Sequence, residues 1–255
     1  MRSLVISAAA AAFLLAGCST GGADAPAGAA PTDAVPVATS SSARTAADLE
    51  RDAVRHTAET LAFTGVRPGW KVVDMVMGGG FFTRAFSDAV GPSGHVTAWQ
   101  PAQFLGFSAD YRAAADAAEG IANVDVIRSP IAEPAFPQGL DLIFTAQNYH
   151  DLHLRPFGED AASRVNAAAF AALKPGGVYV VIDHHAAAGS GLSATNTLHR
   201  IDRAKLIEEV QAAGFVLADQ SALLERPDDP LTANVFDASI RGRTSQFMLR
   251  FRKPG

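Results

Sequence analysis

The sequence predicts an α/β protein, a mostly parallel sheet with helices on both faces. Three observations predict it. Short apolar runs alternate with stretches of helical periodicity from residue 46 to the end, the pattern of strands joined by crossover helices. The first run leads into KVVDMVMGGGFFTRAF (71–86), where an aspartate and three glycines precede a helix start. Polar stretches rich in histidine and aspartate come after the fourth and fifth runs, at the strand ends where open α/β sheets bind ligands.

Taken in order, Ala46 to Thr64 reads as one helix with Leu49, Ala53, His56, Thr60 and Phe63 on one face. Trp70 to Met77 is a buried strand, and Phe82 to Ala89 a helix. Gly91-Pro92-Ser93-Gly94 makes a turn into a second strand, His95 to Trp99. Phe104 to Glu119 reads as helical. Val124 to Arg128 and Asp141 to Thr145 are short strands. A helix over Glu159 to Leu173 is ended by Lys174-Pro175-Gly176-Gly177, and Val178 to Ile182 is the next strand. Asp202 is placed to cap a helix over Arg203 to Ala213, which Gly214 stops. Strands Phe215 to Ala218 and Gln246 to Arg252 complete a set of seven. No internal repeat is apparent.

The chain has 255 residues, 48% of them hydrophobic, which is ample for one sizeable core. A formal charge of −5 without basic clusters argues against a nucleic-acid partner. The N-terminus carries Arg2, an apolar stretch too short to span a bilayer comfortably, and then Leu15-Ala16-Gly17-Cys18. This resembles the lipobox of bacterial lipoproteins, which implies acylation of Cys18. The expected organisation is a signal peptide at 1–17, a flexible Gly/Ala/Pro/Ser-rich tether at 18–45 and one domain at 46–255. The expected location is the bacterial cell envelope, lipid-anchored and facing the periplasm or the surface. Cys18 is the only cysteine, so no internal disulfide forms.

The domain resembles the class I S-adenosylmethionine-dependent methyltransferases. Arg67-Pro68-Gly69, Asp74 through Gly80, the Gly91 to Gly94 turn, Leu173-Lys174-Pro175-Gly176-Gly177 and Ala213-Gly214-Phe215 carry the resemblance in the family's order. It implies a Rossmann-like, doubly wound sheet of seven strands with the last antiparallel. It implies S-adenosylmethionine as cofactor, held by Asp74, Gly78, Gly79, Gly80, Gln100 and Asn148. Three positions depart from the family pattern. Val76 stands for the first glycine, Gln100 for an acid that grips the ribose, and Arg128-Ser129-Pro130-Ile131 offers no acid near the adenine. Phe81 and Phe82 are expected in the core.

Candidate catalytic residues are His150 with Asp151, a base and its orienting acid, and Asp183 with His184 on the same rim. Asp183, His184, His185 and His150 include good metal ligands, but neighbouring histidines on an extended stretch point apart, so no metal is expected. His199 and Arg200 are expected to pack at the surface, and residues 225–237 are long enough to cover the crevice as a lid. Two functions remain open: a methyltransferase with an unknown small-molecule or envelope substrate, or a non-catalytic ligand-binding lipoprotein that retains the fold.

Overall fold

The computed structural model describes residues 43–255. The expected signal peptide, Cys18 and all of the tether up to residue 42 lie outside the described residues. Among the described residues no helix is long and apolar enough to cross a membrane.

Seven strands form one sheet: β1 (Lys71–Met75), β2 (His95–Trp99), β3 (Val124–Ile127), β4 (Leu140–Ala146), β5 (Leu173–His184), β6 (Val216–Ser221) and β7 (Gln246–Arg252). Their order is β3-β2-β1-β4-β5-β7-β6. The first five strands run parallel, and β7 lies antiparallel between β5 and β6. Strands with both faces covered need apolar residues at nearly every position. In β1, Val72 faces one apolar cluster and Val73 and Met75 the other, all fully buried. Along β7, Phe247, Leu249 and Phe251 face the second cluster while Met248 faces the first. That two-residue period, repeated across strands, fixes the register.

The helices are α1 (Ala46–Glu50), α2 (Asp52–Arg55), α3 (Thr57–Thr64), α4 (Phe81–Val90), α5 (Ala109–Ala118), α6 (Ala161–Ala172), α7 (Thr195–Leu198) and α8 (Arg203–Ala212). Phe82, Phe86 and Val90 of α4 pack on Val72, Leu142 and Phe144. Val165 and Ala169 of α6, with Leu206 and Val210 of α8, cover the other face. Asp202 caps α8 as its side chain accepts from the Ala204 amide at 2.9 Å.

Several expectations are corrected. The single helix over 46–64 is three short ones, interrupted at Arg51 (φ −92°, ψ −6°) and at His56, which takes the left-handed conformation (φ 46°). Of the expected face, Thr60 is buried and Phe63 packs on the core, but Leu49 and Ala53 are exposed, while Asp48, Thr57 and Leu61 are buried. The helix expected over 104–119 is a 3-10 turn (Phe104–Gly106) followed by α5, whose N-cap is Ser108. Leu173 through Gly177 begin β5 rather than preceding it, with an irregular register against β4 between Leu140 and Leu142.

Candidate functional site

β1 and β4 are central neighbours, and a crevice opens at their carboxyl ends. Two overlapping cavities of about 440 Å³ each share Arg51, Arg55, Phe82, Gln147, His184 and Phe236. Each is in the size range of small-ligand sites, about 300–1,000 Å³. The chain leaves β1 through Val76 (φ 60°) and β4 through Gln147 (φ 66°). His199, also on this rim, has φ 54°. A left-handed conformation costs a residue with a Cβ about 1–3 kcal/mol, and such residues gather at ligand sites. The departure at Val76 therefore carries a cost in strain.

Asp74 lies at the base of the crevice, where Thr83 Oγ1 donates to its Oδ2 at 2.6 Å. Burial pushes its pKa up to about 6 against the opposing Thr83 hydrogen bond. Gly78 and Gly79 line the cavity, and a Cβ on either would meet nothing within 4 Å. A ligand can thus lie directly against that backbone. Gly80 does not line it: with φ 76° it starts α4, and a Cβ there would meet the Arg84 guanidinium at 2.7 Å. Arg84 ties the turn to α1, donating to both oxygens of Asp48 (2.6 and 2.7 Å) and to the Gly79 carbonyl.

Gln100 is fully buried and is not part of the cavity wall. Its Oε1 accepts from the Gly78 amide at 2.9 Å, so it braces the glycine turn, and its Nε2 has no hydrogen-bond partner. Asn148 does line the cavity and bridges the two strand ends, donating to Ala146 O at 2.7 Å and Val76 O at 3.3 Å. Phe81 and Phe82 are buried and also form cavity wall.

The polar wall is arranged differently from the expectation. His150 Nδ1 pairs with Asp183 Oδ1 at 2.7 Å, and Asp183 Oδ2 accepts from the His150 amide at 2.7 Å. Asp183 is completely buried behind His150, away from the cavity. Asp151 meets the other ring nitrogen of His150 at 3.2 Å. Burial lowers the pKa of His150, but Asp183 and Asp151 outweigh it and raise it to about 10. A charged imidazole between two carboxylates is no general base near neutral pH. Burial also opposes the Asp151 carboxylate, yet His150 and His199 hold its pKa down to about 2. His184 lines the cavity, bonded through Nδ1 to Thr244 Oγ1 at 2.9 Å, and burial depresses its pKa to about 4.

Arg51 and Arg55 escape the sequence reading, whereas His199, expected at the surface, and Phe236, in the segment expected as a lid, both border the cavity. Arg51 and Arg55 are one turn apart, a spacing that is legible in the sequence. Their guanidinium carbons lie 5.3 and 5.2 Å from the Phe81 ring centre. Burial, then repulsion from Arg51, lowers the pKa of Arg55 to about 10. His199 faces the cavity and reaches Asp151 Oδ1 through Nδ1 at 3.3 Å. Phe236 packs on the His199 ring at 4.9 Å. Arg200 is not at the surface: it is fully buried, pairing with Asp229 (2.8 and 2.9 Å) and donating to Ala233 O. That anchor holds the long connection between β6 and β7, so that its Val235 and Phe236 border the cavity.

The strand order, the antiparallel β7 and the crevice over Asp74 and Gly78 decide the architecture. The chain has the class I methyltransferase fold. No family model matches the sequence, and no curated protein matches it. Solved structures do. A SAM dependent methyltransferase from Aquifex aeolicus is 18% identical with a TM-score of 0.56, the match covering 80% of this chain and 92% of that one. A putative methyltransferase in complex with the Trm112 methyltransferase activator, from Haloferax volcanii, is 18% identical with a TM-score of 0.58 over 82% of this chain and 94% of that chain. The [4+2]-cyclase SpnF is 20% identical, with a TM-score of 0.58, over 81% of this chain and 82% of that chain. A cyclase among these structures is a reminder that a shared fold does not fix the reaction.

Proposed function

We propose that the protein is an S-adenosylmethionine-dependent methyltransferase acting on a small-molecule or envelope acceptor. The observation that carries this is the open backbone of Gly78 and Gly79 beside buried Asp74, at the carboxyl ends of β1 and β4. The residues fit the methionine end of the cofactor. Asp74 would hold its ammonium group, and Arg51 and Arg55 would take its carboxylate or an acidic group of the acceptor. Among the described residues neither arginine has a carboxylate in ion-pair contact, and an anion between them would relieve their mutual repulsion. The fit is weaker at the ribose, because Gln100, expected to hold it, is fully buried and outside the cavity wall.

When bound, the sulfonium group supplies a methyl that an acceptor atom attacks in line. This chain's own contribution is to orient the acceptor. Val54, Ile182, Leu224, Thr244 and Gln246 border the part of the crevice away from the glycine turn. The acceptor would lie there, covered by the Arg200-anchored connection, with water excluded. The reading places the domain at the cell envelope through an acylated Cys18. Recovery of a Cys18→Ser variant in the salt-washed membrane fraction would refute that tether.

Calorimetric titration of the full chain with S-adenosylmethionine and S-adenosylhomocysteine tests the function. A Kd below about 100 µM, roughly 5.5 kcal/mol of binding, is expected. Asp74→Asn should weaken it about tenfold, with stability within about 1–2 kcal/mol of the parent. No binding at millimolar cofactor would overturn the proposal.

A further inference from the structure

We propose that His150 Nε2, Asp151 Oδ1 and His199 Nδ1 form a binding site for a divalent transition-metal ion on the wall of the crevice. The three atoms converge, and an ion bound there takes the place of the proton on His150 Nε2, which is released to solvent. Asp151 Oδ1 lies 3.2 Å from His150 Nε2 and 3.3 Å from His199 Nδ1, and all three lie within 4.8 Å of one another. With metal–ligand bonds of about 2.1 Å, neighbouring ligand atoms sit about 3.0 Å apart in an octahedral site and about 3.4 Å apart in a tetrahedral one. The two measured separations fall between those values. Among the described residues, no other group of three His, Cys, Asp or Glu side chains meets this spacing.

Three further features suit a metal centre. The far nitrogen of His150, Nδ1, is held by the buried Asp183 carboxylate at 2.7 Å. A carboxylate behind a metal-ligating imidazole fixes the ring and strengthens it as a ligand. His199 is held in a left-handed conformation with its ring edge-on to His150, the planes at 86° and the centres 5.4 Å apart. All three side chains line the cavity, so a fourth position faces the space where a substrate would lie. A site of three protein ligands with an open position is a catalytic rather than a structural arrangement.

Two imidazoles and one carboxylate suit zinc, iron(II) or cobalt(II) better than magnesium or calcium. This set differs from the one the sequence suggested. Asp183 stands behind His150, His184 is bonded to Thr244 and His185 approaches Glu225 at 3.7 Å. An oxygen ligand on the open position would lose its proton more readily, which is the property a hydroxyl acceptor needs. The inference does not use the methyltransferase reading, and a chain that fails to bind S-adenosylmethionine can still bind the ion.

The test uses the full chain carrying Cys18→Ser, which removes its single thiol, stripped with a chelator. Cobalt(II) titration is followed by visible absorption and zinc titration by calorimetry. One ion per chain is expected, with zinc displacing cobalt. His199→Ala and Asp151→Asn should each weaken binding at least about tenfold. His95→Ala, at the exposed pair with Asp125 (2.9 Å), should leave it unchanged. Zinc should raise the melting temperature of the parent but not of a folded His199→Ala protein. Binding retained in both ligand variants, or none by the folded parent at about 100 µM metal, would overturn the proposal.

Discussion

At the amino ends of the parallel strands, the left-handed positions are glycines: Gly69 before β1, Gly91 before β2, Gly139 before β4 and Gly176 within the start of β5. An ion pair there reaches solvent, the exposed Lys174 with the half-buried Asp141 at 2.8 Å. At the carboxyl ends, Val76, Gln147 and His199 take that conformation despite their side chains. There Asp183 and His150 form a buried charged pair, and the half-buried Arg55 lies against two phenylalanines. Both ends close the sheet through residues of positive φ, glycines without steric cost at one and side-chain-bearing residues under strain at the other. Strain and buried charge are costs that stability alone does not explain. Their concentration at one end marks that end as the site.

The comparison breaks most readily at its buried charges. Asp183→Ala leaves the His150 imidazolium without its nearest carboxylate and should destabilise the protein by about 3–5 kcal/mol. Lys174→Ala, at the opposite end, should change stability by less than about 1 kcal/mol. Urea unfolding of both variants decides the matter, and equal losses would erase the distinction between the ends.

A smaller effect isolates the strain. Val73 and Val76 are both buried valines of the same segment, and only Val76 has a positive φ. Val76→Gly should therefore cost about 1–3 kcal/mol less than Val73→Gly, because it releases strain while losing a similar side chain. Identical losses would mean that Val76 is relaxed where it stands.

The smallest expected effect concerns the brace behind the glycine turn. Burial raises the pKa of Asp48, but its bonds to Arg84 and Thr45 bring it from the usual 3.8 down to about 2. A folded-state pKa below the unfolded one stabilises fully above about pH 4, and that stabilisation is lost as pH falls through about 2. Thermal melts between pH 5 and pH 2 should fall less steeply for Asp48→Asn than for the parent. Parallel slopes would remove Asp48 from the acid response.

Much of the fold is legible in the sequence because it depends on local pattern. The alternation in Val72 and Val73, or in Phe247 to Phe251, states which face of a strand is buried before any partner is known. The glycine-marked turns and the cap at Asp202 announce where elements begin and end. The first helix is not legible in the same way. A left-handed residue, His56, separates α2 from α3, and histidine is only a weak signal for that conformation. Part of the site is legible too: Asp74, Gly78, Gly79, Asn148, His150, Asp151 and His184 all border the crevice.

What the sequence by itself determined is the order of strands and helices, the polar rim and the glycine turn, since each depends on residues close together in the chain. The tertiary structure alone decided which carboxylate serves which histidine. Asp151 is adjacent to His150 in sequence, yet Asp183, 33 residues away, holds Nδ1 because β4 and β5 are paired in the sheet. It also decided that His199 meets Asp151 and that Arg200 is buried. A side chain's charge and reach are written in its own residue. Its partner is set by which strand ends the folded sheet brings together.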